Sequence, residues 1–165
     1  VSRKTDPLDS LVISVTKLSA AQAYNVIPDQ VEIAGTVRTL ASGLRDFAEQ
    51  EIFASAQGIA RGFGADIEFR YLRSVPATFN YAEGTDLAIQ AARSLVGSAS
   101  VNDKMKPSIG AEDFAYMLEA RPGAYIFLGN GPTAQCHNPA YDFDDEALPY
   151  GMGYWVNLVE IVLGT

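Results

Sequence analysis

Residues 107–148 switch pattern several times in quick succession, and the order of those switches limits what the chain can fold into more than any other stretch. Ser108 to Ala111 read as a tight turn opening a helix over Glu112 to Ala120, in which Phe114, Met117 and Leu118 recur at helical spacing. Arg121-Pro122-Gly123 ends it. Ala124 to Leu128 is then a short apolar run of the kind found in buried strands, stopped by Gly129-Asn130-Gly131-Pro132. The only histidine, His137, falls in the loop beyond that strand end, followed closely by Asp142, Asp144, Asp145 and Glu146. In open α/β sheets the rim at the strand ends is where ligands bind. A neutral imidazole beside carboxylates suits a borderline divalent metal such as zinc, manganese or cobalt. A solvated or hydrogen-bonded histidine is the plainer alternative.

The motifs GAEDFAYML, RPGAYIFLGNG and HNPAYDFDDEAL resemble, in that order, the end of the hippurate hydrolase and N-acyl-amino-acid amidohydrolase family, aminoacylase-like two-metal metallopeptidases. Further upstream, NVIPDQVEIAGTVRTL resembles the lid segment of the same family, so the likeness spans nearly the whole chain. The resemblance implies that His137 is a metal ligand, that Asn25 and Arg38 contact substrate from the lid, and that Glu112 and Asp113 lie at the active-site rim. It also implies two divalent metals per subunit in the parent protein, with zinc, manganese, cobalt and nickel not distinguishable, and a homodimer formed through the lid.

Along the chain, Asp6-Pro7 and Asp9-Ser10 are turn chemistry, and Leu11, Ile13 and Val15 alternate with Val12, Ser14 and Thr16 as a first strand. A small-residue connection over residues 18–25 and a turn at Pro28-Asp29 lead to a second strand, Val31 to Leu40. There Val31, Ile33, Gly35 and Val37 share one face, and Arg38 stands on the other with Glu32, Ala34 and Thr36. Ser42 is a plausible N-cap for an amphipathic helix whose stripe is Leu44, Phe47, Ala48, Ile52, Ala56, Ile59 and Phe63, with Asp46 favouring its positive end. Gly62 and Gly64 stop it, and Ile67, Phe69 and Tyr71 alternate with Glu68, Arg70 and Leu72 as a third strand. The expected unit is a ferredoxin-like ββαβ lid.

Residues 76–83 lose periodicity and mark the boundary between a lid and dimerisation domain, 1–77, and the C-terminal part of a larger α/β metallopeptidase domain, 78–165. From Thr85 a helix carries Leu87, Ala88, Ala91, Ala92, Leu95 and Val96 and ends at Gly97-Ser98. A short strand is expected near Lys104 to Ile109, and a final helix from about Asp145, with Leu148, Met152, Trp155, Leu158, Val159 and Val162 facing the core. The fold class is α/β with an α+β lid.

Charge and composition narrow the partners. A chain of 165 residues can bury roughly 70% of its unfolded surface, and 48% apolar with 19% charged residues is globular composition. A net charge of −8 without clustered Lys and Arg argues against nucleic acid. There is no apolar run long enough to span a membrane and no signal-peptide pattern. One cysteine, Cys136, excludes an internal disulfide framework and fits a reducing cytoplasm. Cys136 and His137 are adjacent, and neighbours in an extended loop point apart, so Cys136 is read as a bystander. The loop from Gly129 to Gly131 lacks the glycine spacing of a phosphate cradle. Val1-Ser2-Arg3 begins without an initiator Met and in the middle of the resembled lid, so further sequence is expected upstream.

From residue chemistry, Arg38 suits bidentate binding of a carboxylate and Asn25 suits a neighbouring carbonyl, against a solvated strand arginine and a turn-stabilising asparagine. Glu112 and Asp113 at a helix start equally suit capping or orienting a metal site. The resemblance implies metal-dependent hydrolysis of the amide bond of N-acyl or N-aroyl amino acids by the full-length parent. The segments that carry the general base and most metal ligands in relatives are absent from these residues, so the chain by itself is expected to be inactive. The alternative is a catalytically dead lid-and-scaffold protein acting through dimerisation.

Overall fold

The computed structural model describes residues 3–6 and 8–164. Pro7, part of the first expected turn, lies outside the described residues. The turn chemistry of its neighbour is present: Asp6 accepts from the Leu8 amide at Oδ1, 2.8 Å, and from the Asp9 amide at its carbonyl, 3.0 Å. The fold is mixed α/β, as expected, and the chain divides into two compact units. The first is Val1–Ala77 together with Ser108–Glu112; the second is Thr78–Pro107 together with Asp113–Thr165.

In the first unit β1 (Leu11–Ser19) pairs antiparallel with β2 (Glu32–Thr39), in register Leu11 to Thr39 and Ser19 to Glu32. The register slips between Val15 and Lys17, a bulge that gives β1 one extra residue. Gly35 lies opposite that bulge because nothing larger fits: a Cβ there would lie 2.1 Å from the Ser14 carbonyl oxygen. α1 (Ser42–Gly62) packs on β2. Ser42 is the first helical residue and not the cap; Ala41 occupies that position without a side-chain cap bond, and its amide donates to Thr39 Oγ1 at 3.2 Å. Asp46 lies beyond the first turn, so its carboxylate serves Arg73 at 2.5 Å instead of the helix end. Of the expected stripe, Ala48 is buried and Leu44, Phe47, Ile52 and Ala56 are half-buried, but Ile59 and Phe63 are exposed. A helix of 21 residues is about 31 Å long, more than a two-stranded ribbon covers.

Residues 67–71 keep the expected alternation, with Ile67, Phe69 and Tyr71 half-buried and Glu68 and Arg70 exposed. Phe69 packs on Phe53 of α1 and on Tyr71, ring centroids 5.4 and 6.3 Å apart. No third strand forms there, because no described segment supplies the opposing row of N–H and C=O groups that a ladder needs. The expected ββαβ unit is therefore ββα plus an unpaired apolar segment.

The second unit is helical: α2 (Ala82–Val96), a 3-10 turn (Ser98–Ser100), α3 (Phe114–Ala120) and α4 (Ala147–Leu163). Its core forms where α2 meets α4, from Ala88, Ala91 and Tyr154 with Ala92, Ala124, Leu158 and Ile161 around them. Of the α4 stripe expected to face the core, only Leu158 does; Leu148, Met152, Trp155, Val159 and Val162 are all more than half exposed. α4 is apolar nearly all round, and α2 takes the face where small residues permit close approach. At Gly153 a Cβ would meet Leu95 Cδ1 at 2.9 Å. The two short strands expected over 104–109 and 124–128 are also not formed, for want of a pairing partner among the described residues. Phe127, in the run expected as a buried strand, is consequently exposed.

Candidate functional site

The first unit holds Asn25, Arg38 and Glu112. Asn25 sits in the 20–31 loop that closes the β1–β2 hairpin, an exposed tip flanked by Tyr24, Val26 and Ile27, themselves highly exposed. Arg38 stands opposite Val12, towards the other end of the same hairpin. From Glu32, the last paired residue before the tip, to Arg38 is about 20 Å at roughly 3.3 Å per strand residue. Asn25 thus belongs to the loop that closes the hairpin, and Arg38 to the paired residues at its open end. Arg38 is exposed and donates from Nη1 to the Ile109 carbonyl at 2.9 Å. Glu112 is half-buried at the end of the same short segment.

Asp113 begins the return to the second unit and occupies the N-cap of α3 with helical backbone angles and no side-chain cap bond. Its carbonyl accepts from the Tyr116 amide at 3.1 Å, so the helix start is satisfied by backbone. The capping role weighed for the two carboxylates is not taken up by Asp113, and Glu112 lies before the cap altogether.

His137 lies at the third position of a turn in which the Asn138 amide donates to the Gln135 carbonyl at 3.1 Å. Its φ of 69° is the only positive value among the described non-glycine residues. That conformation strains most side chains, histidine less than β-branched ones, and it is retained where surrounding contacts impose it. Here they do. Asn130 grips the returning chain with both ends of its amide: Nδ2 donates to the Asp142 carbonyl and Oδ1 accepts from the Asp144 amide, each at 2.9 Å. Thr133 Oγ1 accepts from the Asp142 amide at 3.0 Å, and Asn138 Oδ1 from the Ala140 amide at 2.9 Å. Gly131, φ 70°, completes the loop where a Cβ would sit 3.3 Å from Asp144 Oδ2. The imidazole is exposed on a hydrogen-bonded platform, a suitable base for a ligand-binding group.

One neighbouring carboxylate, that of Asp144, has other work. Asp144 Oδ1 accepts from the Glu146 amide at 3.0 Å and the Asp144 carbonyl from the Ala147 amide at 2.9 Å, leading the chain into α4. Among the described residues no group of three or more His, Cys, Asp or Glu side chains could hold a metal ion. The acidic run after His137 therefore does not gather around the imidazole, and the residues present do not make a metal centre. Cys136 is a free, exposed thiol. Asn130, Thr133 and Asn138, which shape the loop, were visible in the sequence only as turn chemistry; which backbone groups they satisfy is a matter of how the loop folds back.

The fold is that of a mixed α/β chain with a hairpin unit and a helical unit. The sequence model of peptidase family M20/M25/M40 matches residues 3–161, and the chain belongs to that family. It is 38% identical to an N-acetylcysteine deacetylase of Bacillus subtilis (strain 168), over all of this chain and 43% of that protein. It is 34% identical to a hippurate hydrolase of Campylobacter jejuni, over 96% of this chain and 41% of that protein. The crystal structure of a Bacillus subtilis dinuclear metal-binding peptidase of the M20 family superposes with a TM-score of 0.77 at 37% identity, covering 94% of this chain and 42% of the other. The chain thus spans about two fifths of the length of these relatives. Among the described residues no helix is long and apolar enough to cross a membrane.

Proposed function

We propose that the whole protein to which these residues belong hydrolyses the amide bond of N-acyl or N-aroyl amino acids. The observation that carries this reading is the family match across residues 3–161, with relatives named as a deacetylase of N-acetylcysteine and a hippurate hydrolase. Both of those substrates are an acyl group on the nitrogen of an amino acid with a free carboxylate. In this reading residues 1–77 are the lid and dimerisation domain, and 78–165 the C-terminal part of the catalytic domain.

The roles assigned to this chain are binding and orientation. Arg38 reads the substrate carboxylate through two parallel N–H donors, which fix direction as well as charge and so position the scissile amide. Asn25 holds a substrate carbonyl from the hairpin tip. Glu112 and Asp113 flank the site and orient its polar groups. His137 supplies one ligand to a pair of divalent ions, zinc, manganese, cobalt or nickel, whose other ligands are assigned to sequence beyond these 165 residues. The protein works as a homodimer joined through a strand edge of the hairpin or through the helix from Leu44 to Phe63, in the cytoplasm.

The test is turnover by the complete protein of N-acetyl and N-benzoyl amino acids beside the same compounds with the carboxylate converted to a neutral amide. Release of the free amino acid, with Arg38→Ala costing about 2–4 kcal/mol in kcat/KM on the carboxylate series and far less on the amide series, supports the reading. Absence of turnover on both series, together with protein that retains no metal, returns the scaffold alternative. Equal losses on the two series would leave Arg38 a strand-supporting residue.

A further inference from the structure

The segment Ser108–Glu112 packs with the first unit although the chain on both sides of it, Thr78–Pro107 and Asp113 onward, belongs to the second. A side-chain hydrogen bond links it to the hairpin across 71 residues of sequence: Arg38 Nη1 to the Ile109 carbonyl, 2.9 Å. Within the segment the Gly110 amide donates to Ser108 Oγ at 3.3 Å, closing a local turn that presents the carbonyl between them. We propose that Arg38 fastens residues 108–112 to β2, and that the Ile109 carbonyl is the positioning group that sets the plane of the Arg38 guanidinium.

A guanidinium is planar and carries five N–H donors in a fixed fork, so fixing one nitrogen on a carbonyl fixes the direction of the rest. With Nη1 held by Ile109, the Nε and Nη2 edge keeps two parallel donors, the geometry that matches a carboxylate. An unanchored arginine on an exposed two-stranded ribbon would sample many rotamers and lose that freedom on every binding event. Anchoring it beforehand removes part of that cost. The same bond makes the 108–112 segment, with Glu112 at its end, move as one body with the hairpin. The consequence for recognition rests on the carboxylate-reading role given to Arg38 above; the anchoring does not.

The two are separable because lysine keeps a donor for a carbonyl but has no fork. Backbone 15N relaxation on the 165-residue chain, with no substrate, reads the anchoring alone. In the unaltered chain the order parameters of 109–112 should match those of residues 32–37, near 0.85; in Arg38→Ala those of 109–112 should fall below about 0.6 with 32–37 unchanged, and Arg38→Lys should restore most of the difference. Equal order parameters at 109–112 in the unaltered chain and Arg38→Ala would overturn the proposal. So would a fall spread evenly over both β-strands, since Arg38 would then be supporting the hairpin itself. In the complete protein Arg38→Lys should keep 109–112 ordered and still lose at least tenfold in kcat/KM on carboxylate substrates. If that activity loss is missing while the relaxation result holds, the carboxylate role fails and the anchor stands.

Discussion

The Asn80 side chain holds the backbone of Tyr125 at both its polar groups: Nδ2 donates to the Tyr125 carbonyl and Oδ1 accepts from the Tyr125 amide, each at 2.8 Å. The Tyr81 amide extends the contact by donating to the Gly123 carbonyl at 3.0 Å. One asparagine thus does for the 124–128 run what a single residue of a neighbouring strand would do. Asn80→Ala removes both bonds and should cost about 1–3 kcal/mol. Asn80→Asp should cost no less, since it replaces the donor facing a carbonyl by a charged acceptor. Urea denaturation followed by the fluorescence of the single tryptophan, Trp155, measures both; unchanged midpoints would mean that the segment is held by packing alone.

Two glycines should respond to alanine with opposite signs. At Gly84, in the first turn of α2, a Cβ would lie 2.7 Å from the Gly123 carbonyl carbon and 2.9 Å from its oxygen, both backbone atoms that cannot swing aside. Gly84→Ala should destabilise by about 1–3 kcal/mol. At Gly58, inside α1, a Cβ would meet nothing within 4 Å, so Gly58→Ala should stabilise by about 0.5–1 kcal/mol through the lower entropy of the unfolded chain. Matched urea curves for the two variants decide it, and a shared sign would show that one of the two environments is misjudged.

His137 is the position where backbone and ligand roles can be pulled apart. Glycine accepts a φ of 69° at no steric cost, so His137→Gly should leave folding stability unchanged or raise it by about 0.5 kcal/mol. In the complete protein the same change should lower bound divalent metal and turnover together, if the imidazole is a ligand. Metal content per chain, read by elemental analysis after dialysis, is the direct measurement; full retention in His137→Gly removes the assignment.

Burial pushes the Tyr154 phenol above the usual tyrosine value, and that of Tyr71 likewise, with Arg45 opposing the shift at Tyr71. The folded chain therefore favours the neutral phenols. Their contribution to stability is fully present below about pH 10, the value in the unfolded chain, and is lost as pH rises through the raised folded values. Thermal midpoints should fall above pH 10, and Tyr154→Phe should flatten part of that fall while changing little at pH 7 to 9. A slope identical to that of the unaltered chain would mean that Tyr154 ionises over the same pH range folded and unfolded, with no shift from burial.

Local pattern carried a good deal of the first unit. The alternation from Leu11 and through Val31 to Leu40 marked both strands, the spacing from Leu44 marked α1, and Gly62 and Gly64 marked its end, because each of these signals depends on neighbours within a few residues. The family motifs singled out His137, Arg38, Asn25, Glu112 and Asp113 by position, but not their surroundings. That Arg38 donates to Ile109, that it lies at the open end of the hairpin whose closing loop holds Asn25, and that Asp144 spends its carboxylate on the entry to α4 all depend on segments folding back from afar.

What the sequence by itself determined was local: Ile67, Phe69 and Tyr71 face one way whether or not a strand forms, and Gly131 takes a positive φ that a side chain would resist. Only the tertiary structure decided pairing. Strand identity at 66–72, 104–109 and 124–128 requires an opposing row of donors and acceptors, which periodicity does not encode, and Asn80 serves Tyr125 in place of one. α4 makes the same point for helices. Apolar on nearly every side, it offered several stripes of similar hydrophobicity, and the choice of Tyr154, Leu158 and Ile161 for the core followed from the small residues Ala88 and Ala91 that let α2 come close.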